Sequence, residues 1–252
     1  MKKLYEKNEL TFALVCIGGY CVLQSLANPL NQIIGIEYSA SAILCTVQAV
    51  FLLSFIKKNS LLQRYGLCKS AVPARQFLYY LPLVVLMTRN FWNGVTIHFP
   101  LTETICYIMC MLCVGFVEEV IFRGFLFKAI AKDNLKMAIV ISSVTFGLGH
   151  LLYLVNGSGA ELAENLFQVT GAIVIGFLFV ILFYRGGSLL PCIIAHAIIN
   201  ITSVFANEMG LTIERHMILH AVLMVITIVY AFILTKTLPQ NQCSHKNSVV
   251  DR

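Results

Sequence analysis

Stretches of predominantly apolar residues recur along the whole chain, at about 10–28, 38–56, 77–97, 102–127, 137–155, 166–184, 189–206 and 217–236. Each has roughly the 18–25 residues that an α-helix needs to cross ~30 Å of hydrocarbon. Inside lipid a backbone must satisfy its own hydrogen bonds, and a helix does so within one segment. The pattern therefore predicts an all-α, polytopic membrane protein of about eight transmembrane helices. Composition agrees: 12% of residues are charged and 58% are hydrophobic, where a soluble domain carries about a quarter charged. Mean hydropathy is +0.82.

The breaks between stretches alternate in charge. Lys2, Lys3 and Lys7 precede the first stretch. Lys57, Lys58, Arg64, Lys69 and Arg75 fill the second break, Lys128, Lys132 and Lys136 the fourth, and Arg185 the sixth. Lys236, Lys246 and Arg252 lie at the end. The odd breaks hold no Lys or Arg, apart from Arg215 beside Glu208 and Glu214. Positive charge marks the cytoplasmic side, so both termini are expected there. The basic start resembles a signal peptide without a small-residue cleavage site, and it reads as an uncleaved first helix. Residues 1–252 read as one integral membrane domain with a polar cytoplasmic tail at 239–252. The general character is that of a multi-pass bacterial cell-membrane protein. The net charge of +6 is spread over loops, which excludes a nucleic-acid partner. The nine cysteines are scattered, mostly in apolar runs, and read as buried free thiols rather than a disulfide framework. Cys106, Cys110 and Cys113 share one helical face and are expected to pack.

Against this background the adjacent Glu118 and Glu119 stand out, deep in the fourth stretch. An ionised side chain at that depth costs roughly 2.5–3.5 kcal/mol on insertion scales and usually marks function. Counting about 1.5 Å per residue from the basic ends, Glu118 lies roughly 15 Å in, His150 20 Å, and His196 and Asn200 12–20 Å. Three stretches thus deliver polar groups to one layer. Glu119 and Arg123 are four apart and can pair on one face. Glu118 points elsewhere and is left free. Phe146 shares a face with His150, and Gly147 and Gly149 permit a close helix. A carboxylate and an imidazole that converge on one water can activate it toward a carbonyl. His196 and Asn200, also four apart, suit donation to the developing oxyanion. Glu118, His150 and His196 are acceptable zinc ligands, although the chain has no His-Glu-x-x-His. Ser142 and Ser143 offer a Ser-His alternative near His150. Arg89 either lines the cavity mouth, with substrate binding there as one reading, pairs with Glu103 or extends to the interface.

Glu118-Glu119-x-x-x-Arg123, Phe146-x-x-x-His150 and His196-x-x-x-Asn200, in that order and on separate stretches, resemble the three motifs of the CPBP family. That family contains type II CAAX prenyl endopeptidases and bacterial proteins linked to bacteriocin processing or immunity. The resemblance covers about residues 100–203. It implies an intramembrane glutamic endopeptidase whose catalytic core is 101–206, working without a cofactor. By the same resemblance Glu118 is the general base, His150 its partner on the water, and His196 and Asn200 stabilise the oxyanion. Glu119, Arg123 and Phe146 support the site. The expected partners are the lipid bilayer and a peptide substrate, of CAAX or leader-peptide type, entering laterally or from the cytoplasm. The rival readings are a non-enzymatic immunity or peptide-binding scaffold built on the same motifs, and a proton-coupled transporter, against which the lack of inverted repeats counts.

Overall fold

The computed structural model describes residues 1–69, 80–154 and 162–238. The tail 239–252 with Cys243, together with Arg75 and Glu161, lies outside the described residues. A short surface helix, α1 (Lys2–Lys7), leads into α2 (Glu9–Ile34) and α3 (Ser39–Lys58). Then come α4 (Leu81–Met87), α5 (Leu101–Glu119), α6 (Phe127–Ala131), α7 (Leu135–Gly149), α8 (Leu162–Gly186), α9 (Leu190–Ser203) and α10 (Ile213–Thr237). No strand forms among the described residues; a single bridge pairs Val95 with Ala206.

Local signals set the ends. Asn8 caps α2 by accepting from the Thr11 amide, and Asn134 caps α7 by accepting from that of Met137. Gly35 closes α2 at φ 76°, where a Cβ would be strained. Between α5 and α6 the helix continues as a seven-residue π-helical turn, Val120–Leu126. The resulting Leu101–Ala131 rod is one of six helices long and apolar enough to span a bilayer. The chain is a multi-pass membrane protein. The buried share of these spans is at most 44%. The remaining apolar surface, with Val22, Ile43, Val225 and Phe232 exposed, suits lipid rather than water.

Two of the expected spans are shorter than anticipated. The third stretch, where described, is the seven-residue α4, a 3₁₀ turn Arg89–Phe91 and a reversal at Gly94 (φ 96°). Its polar end, Thr88-Arg89-Asn90, folds over the end of α9 instead of continuing. Asn90 donates to Ile199 O (2.6 Å) and Thr202 Oγ1 (2.8 Å), and Asn93 to Asn207 O (2.7 Å). The seventh stretch is the 14-residue α9, about 21 Å long and short of a full crossing.

The basic ends meet on one face. Glu9 takes an ion pair from Arg64 and another from Lys132 (2.8 Å). Tyr65 donates to Tyr5 (3.0 Å), and burial pushes the Tyr65 phenol above its ordinary pKa. Phe12 stacks on Phe55 at 5.0 Å and meets Phe125 edge-on at 5.1 Å, tying α2 and α3 to the π-helical turn. Lys57, Lys58, Lys128, Lys132, Lys136 and Arg185 all lie at this end, which the positive-inside rule assigns to the cytoplasm.

Candidate active site

Close helix approach builds the site. A Cβ on Gly115 would lie 2.8 Å from the Ala197 amide and 2.9 Å from its Cα, so only glycine lets α5 touch the α9 backbone there. This contact sets His196 directly against the two carboxylates one turn further along α5. Gly147 performs the same task between α7 and α8, where a Cβ would meet Ile173 N at 2.9 Å and Val169 O at 3.0 Å. Gly149 has open space around it and makes no such approach.

One imidazole bridges the adjacent carboxylates. His196 Nδ1 lies 2.8 Å from Glu119 Oε1, and His196 Nε2 lies 3.4 Å from Glu118 Oε2. An ionised carboxylate only accepts, so Nδ1 carries the proton of the shorter contact. Glu119 Oε1 also accepts from Arg123 Nη1 at 3.0 Å, with both side chains fully buried. The expected pairing across four residues is therefore present. The π-helical turn assists it, because wider i→i+5 winding brings residues four apart closer to alignment than an α-helix does. Arg123 lies over the Phe146 ring at 4.0 Å, a cation–π contact. The same ring meets His150 at 5.4 Å and His196 at 5.6 Å. Phe146 thus separates and positions three polar groups.

Glu118 has a partner that sequence reasoning missed. Tyr20, on α2, donates to Glu118 Oε1 at 2.5 Å. Nothing in the spacing of α2 marks that tyrosine apart from its neighbours. Glu118 keeps 12% of its side-chain surface and Glu119 none.

His150 does not sit within a helix. It begins a 3₁₀ turn, His150–Leu154, at the end of α7. Its Nδ1 donates to Phe146 O (3.2 Å), and Asn165 on α8 satisfies its carbonyl at 2.9 Å. In the neutral ring this leaves Nε2 an acceptor. Glu118 and His196 both lie within electrostatic range of His150. Asn200 follows His196 by one turn, and its carbonyl accepts from Ser203 at 2.7 Å.

His150, His196 and Asn200 line a cavity of about 560 Å³. Glu118 is not among its lining residues and meets it through His196. Arg89 and four α10 residues, His216, Leu219, His220 and Leu223, complete the wall. The exposed Trp92 and Glu208, at the helix ends opposite the basic face, also line the cavity.

Other expectations resolve simply. Ser142 donates to Phe122 O (2.9 Å) and Ser143 to Ile139 O (2.8 Å), so both hydroxyls are committed to backbone. Arg89 forms no ion pair with Glu103 among the described residues. Cys110 packs 3.7 Å from Cys45, and Cys113 contacts Thr46. No three His, Cys, Asp or Glu side chains among the described residues are arranged to hold a metal ion.

Residues 100–202 match the family model described as Type II CAAX prenyl endopeptidase Rce1-like. Over this segment the chain is similar to that family. The family is one of membrane-embedded peptidases. No curated protein and no solved structure matches the chain. The matched segment contains Glu118, Glu119, Arg123, His150, His196 and Asn200. Tyr20, Arg89 and the α10 side chains come from outside it.

Proposed function

We propose that the chain is an endopeptidase that hydrolyses a peptide bond of a membrane-associated peptide with water activated by Glu118. The observation that carries this reading is the unbroken polar chain Tyr20–Glu118–His196–Glu119–Arg123, set against a cavity that His150 and Asn200 also line.

Tyr20 holds Oε1 of Glu118, leaving Oε2 to take a proton from water. His150 Nε2 accepts the second hydrogen of that water and aims its oxygen. The water oxygen bonds to the scissile carbonyl carbon, and the carbonyl oxygen becomes an oxyanion. His196, protonated on both nitrogens, donates from Nδ1 to Glu119 and from Nε2 toward that oxygen, with the Asn200 amide as second donor. The intermediate then collapses. The C–N bond breaks, Glu118 returns its proton to the leaving amine, and an acid and an amine are released. Glu119 orients His196 as a buried carboxylate orients an imidazole in other hydrolases. Arg123 compensates the charge of Glu119.

The substrate is proposed to be a peptide with an apolar C-terminal segment, as fits a wet cavity inside a lipid-facing bundle. CAAX-type and leader-peptide-type tails both meet that description. Mass spectrometry of products from an apolar peptide library, incubated with the purified full chain, tests the reading. Glu118→Gln and His150→Ala are expected to abolish cleavage. Cleavage that persists in both variants defeats the mechanism and favours a binding scaffold.

A further inference from the structure

We infer that Arg89, backed by His220, forms a carboxylate-binding subsite in the outer part of the cavity. This rests on the peptidase reading above and names the feature by which that site selects its peptide.

Arg89 lines the cavity and has no ion-pair or side-chain hydrogen-bond partner among the described residues. It is half-buried, at a level where an unpaired guanidinium is costly unless an anion visits. Its backbone is fixed by its neighbour: Asn90 is clamped to Ile199 O and Thr202. The guanidinium therefore starts from a fixed point on the cavity wall. His220 approaches from α10. Its Cε1 would lie 2.9 Å from a Cβ on Gly171, and its Nε2 contacts Thr170 Oγ1 at 3.2 Å. The charged groups that act on His220 are Arg89 and His216. Arg89, His216 and His220 thus share one region of the wall. Glu164 and Glu208 also line the cavity, but neither pairs with Arg89. A planar guanidinium offers two parallel donors, the geometry that a carboxylate accepts.

The spacing to the reactive groups has a consequence. Asn90 is anchored three to six residues beyond His196 on α9, about 5–9 Å along the axis. On α8, Phe179 contacts His196 and Gly171 contacts His220; these positions are about 12 Å apart along that axis. An extended peptide covers roughly 3.3–3.6 Å per residue. A carboxylate held at Arg89 therefore places the cut about two to four residues away from it. Two sources have this chemistry: the α-carboxylate at the end of a chain and the side chain of an acidic residue.

The test measures binding without turnover. Three dansyl-labelled apolar hexapeptides are titrated by fluorescence anisotropy into the full-length Glu118→Gln chain in detergent micelles. One has a free C-terminal carboxylate, one a C-terminal amide, and one an amide with Glu as its last residue. The free acid is expected to bind at least tenfold more tightly than the plain amide. Adding Arg89→Gln should bring that ratio close to one, and Arg89→Lys should retain part of it. His220→Gln, on another helix, should reduce the ratio and serves if Arg89→Gln misfolds. If the Glu-ending amide binds as tightly as the acid, the subsite takes any carboxylate; if it binds like the plain amide, the subsite reads chain ends. Equal binding of acid and plain amide, or an unchanged ratio in Arg89→Gln, overturns the proposal. The two readings fail separately. An Arg89-dependent ratio without cleavage by the wild-type chain leaves the subsite and removes the peptidase. Cleavage of acid and amide peptides at equal rates leaves the peptidase and removes the subsite.

Discussion

Replacing Arg123 with methionine removes the guanidinium that pairs with Glu119, both side chains being fully buried. Glu119 then keeps one hydrogen bond, from His196 Nδ1, while its other oxygen already has no protein partner. Breaking a buried ion pair by deleting one member costs about 3–5 kcal/mol, because the remaining charge is uncompensated. The lost stacking on Phe146 adds up to about 2 kcal/mol. For a chain of this size each kcal/mol lowers the melting temperature by about 2–4 °C, so the pair alone predicts a fall of roughly 6–20 °C. The buried thiols Cys16, Cys45, Cys110 and Cys192 supply the assay: a thiol-reactive fluorophore reports their exposure on heating in detergent. The double variant Glu119→Gln/Arg123→Met removes both charges while leaving an acceptor for His196. It should recover more than half of the loss. A melt of Arg123→Met within 2 °C of the parent, or a double variant no better than the single, would refute the claim that the pair is a compensated buried charge.

Four further outcomes follow from the geometry. Tyr20→Phe removes the donor to Glu118 and should lower kcat about 10–100-fold with KM little changed, on the scale of one charge-assisted hydrogen bond; a change confined to KM would assign Tyr20 to substrate binding. Gly115→Val forces α5 off the α9 backbone, and should abolish hydrolysis in protein that still elutes as a folded species; full activity would mean that the helices do not meet as described. Treatment with 1,10-phenanthroline should leave hydrolysis unchanged, whereas loss restored by zinc would reinstate a metal mechanism. Asn207→Cys, on the cavity wall, should react with a membrane-impermeant maleimide in right-side-out vesicles and not in inverted ones; the reverse would place that end of the cavity in the cytoplasm.

The polar chemistry of the site was legible in sequence because buried charge is rare in an apolar helix. Glu118, Glu119, Arg123, His150, His196 and Asn200 each interrupt a hydrophobic run, and their spacing fixes their depth. The pairing of Glu119 with Arg123 and the stacking of Phe146 near His150 also follow from residues four apart. What spacing cannot show is which helix passes between which. The bridging of Glu118 and Glu119 by one imidazole depends on Gly115 meeting Ala197, a contact between residues far apart in the chain. Tyr20 is an ordinary membrane tyrosine until folding sets it beside Glu118. Hydropathy measures the length of an apolar run; it does not show that beyond α4 the chain turns so that Asn90 and Asn93 bond backbone carbonyls at and beyond the end of α9.

This arrangement bears on where the minimal functional unit ends. The matched segment, residues 100–202, holds every motif residue, yet the carboxylate assigned to the chemistry is gripped from α2. The cavity wall facing it comes partly from α10 and the turn at Arg89. A fragment limited to 100–202 would expose the α5 and π-turn faces that Phe12 and Phe55 cover, and would leave Glu118 without its phenol. On the proposed mechanism α2 acts on the chemistry through the Tyr20–Glu118 hydrogen bond. If Tyr20 serves only packing, Tyr20→Phe will retain kcat, and the reactive machinery will lie wholly within the matched segment. If it serves Glu118, the same substitution will slow turnover without moving the melt, and helix α2 becomes part of the active site.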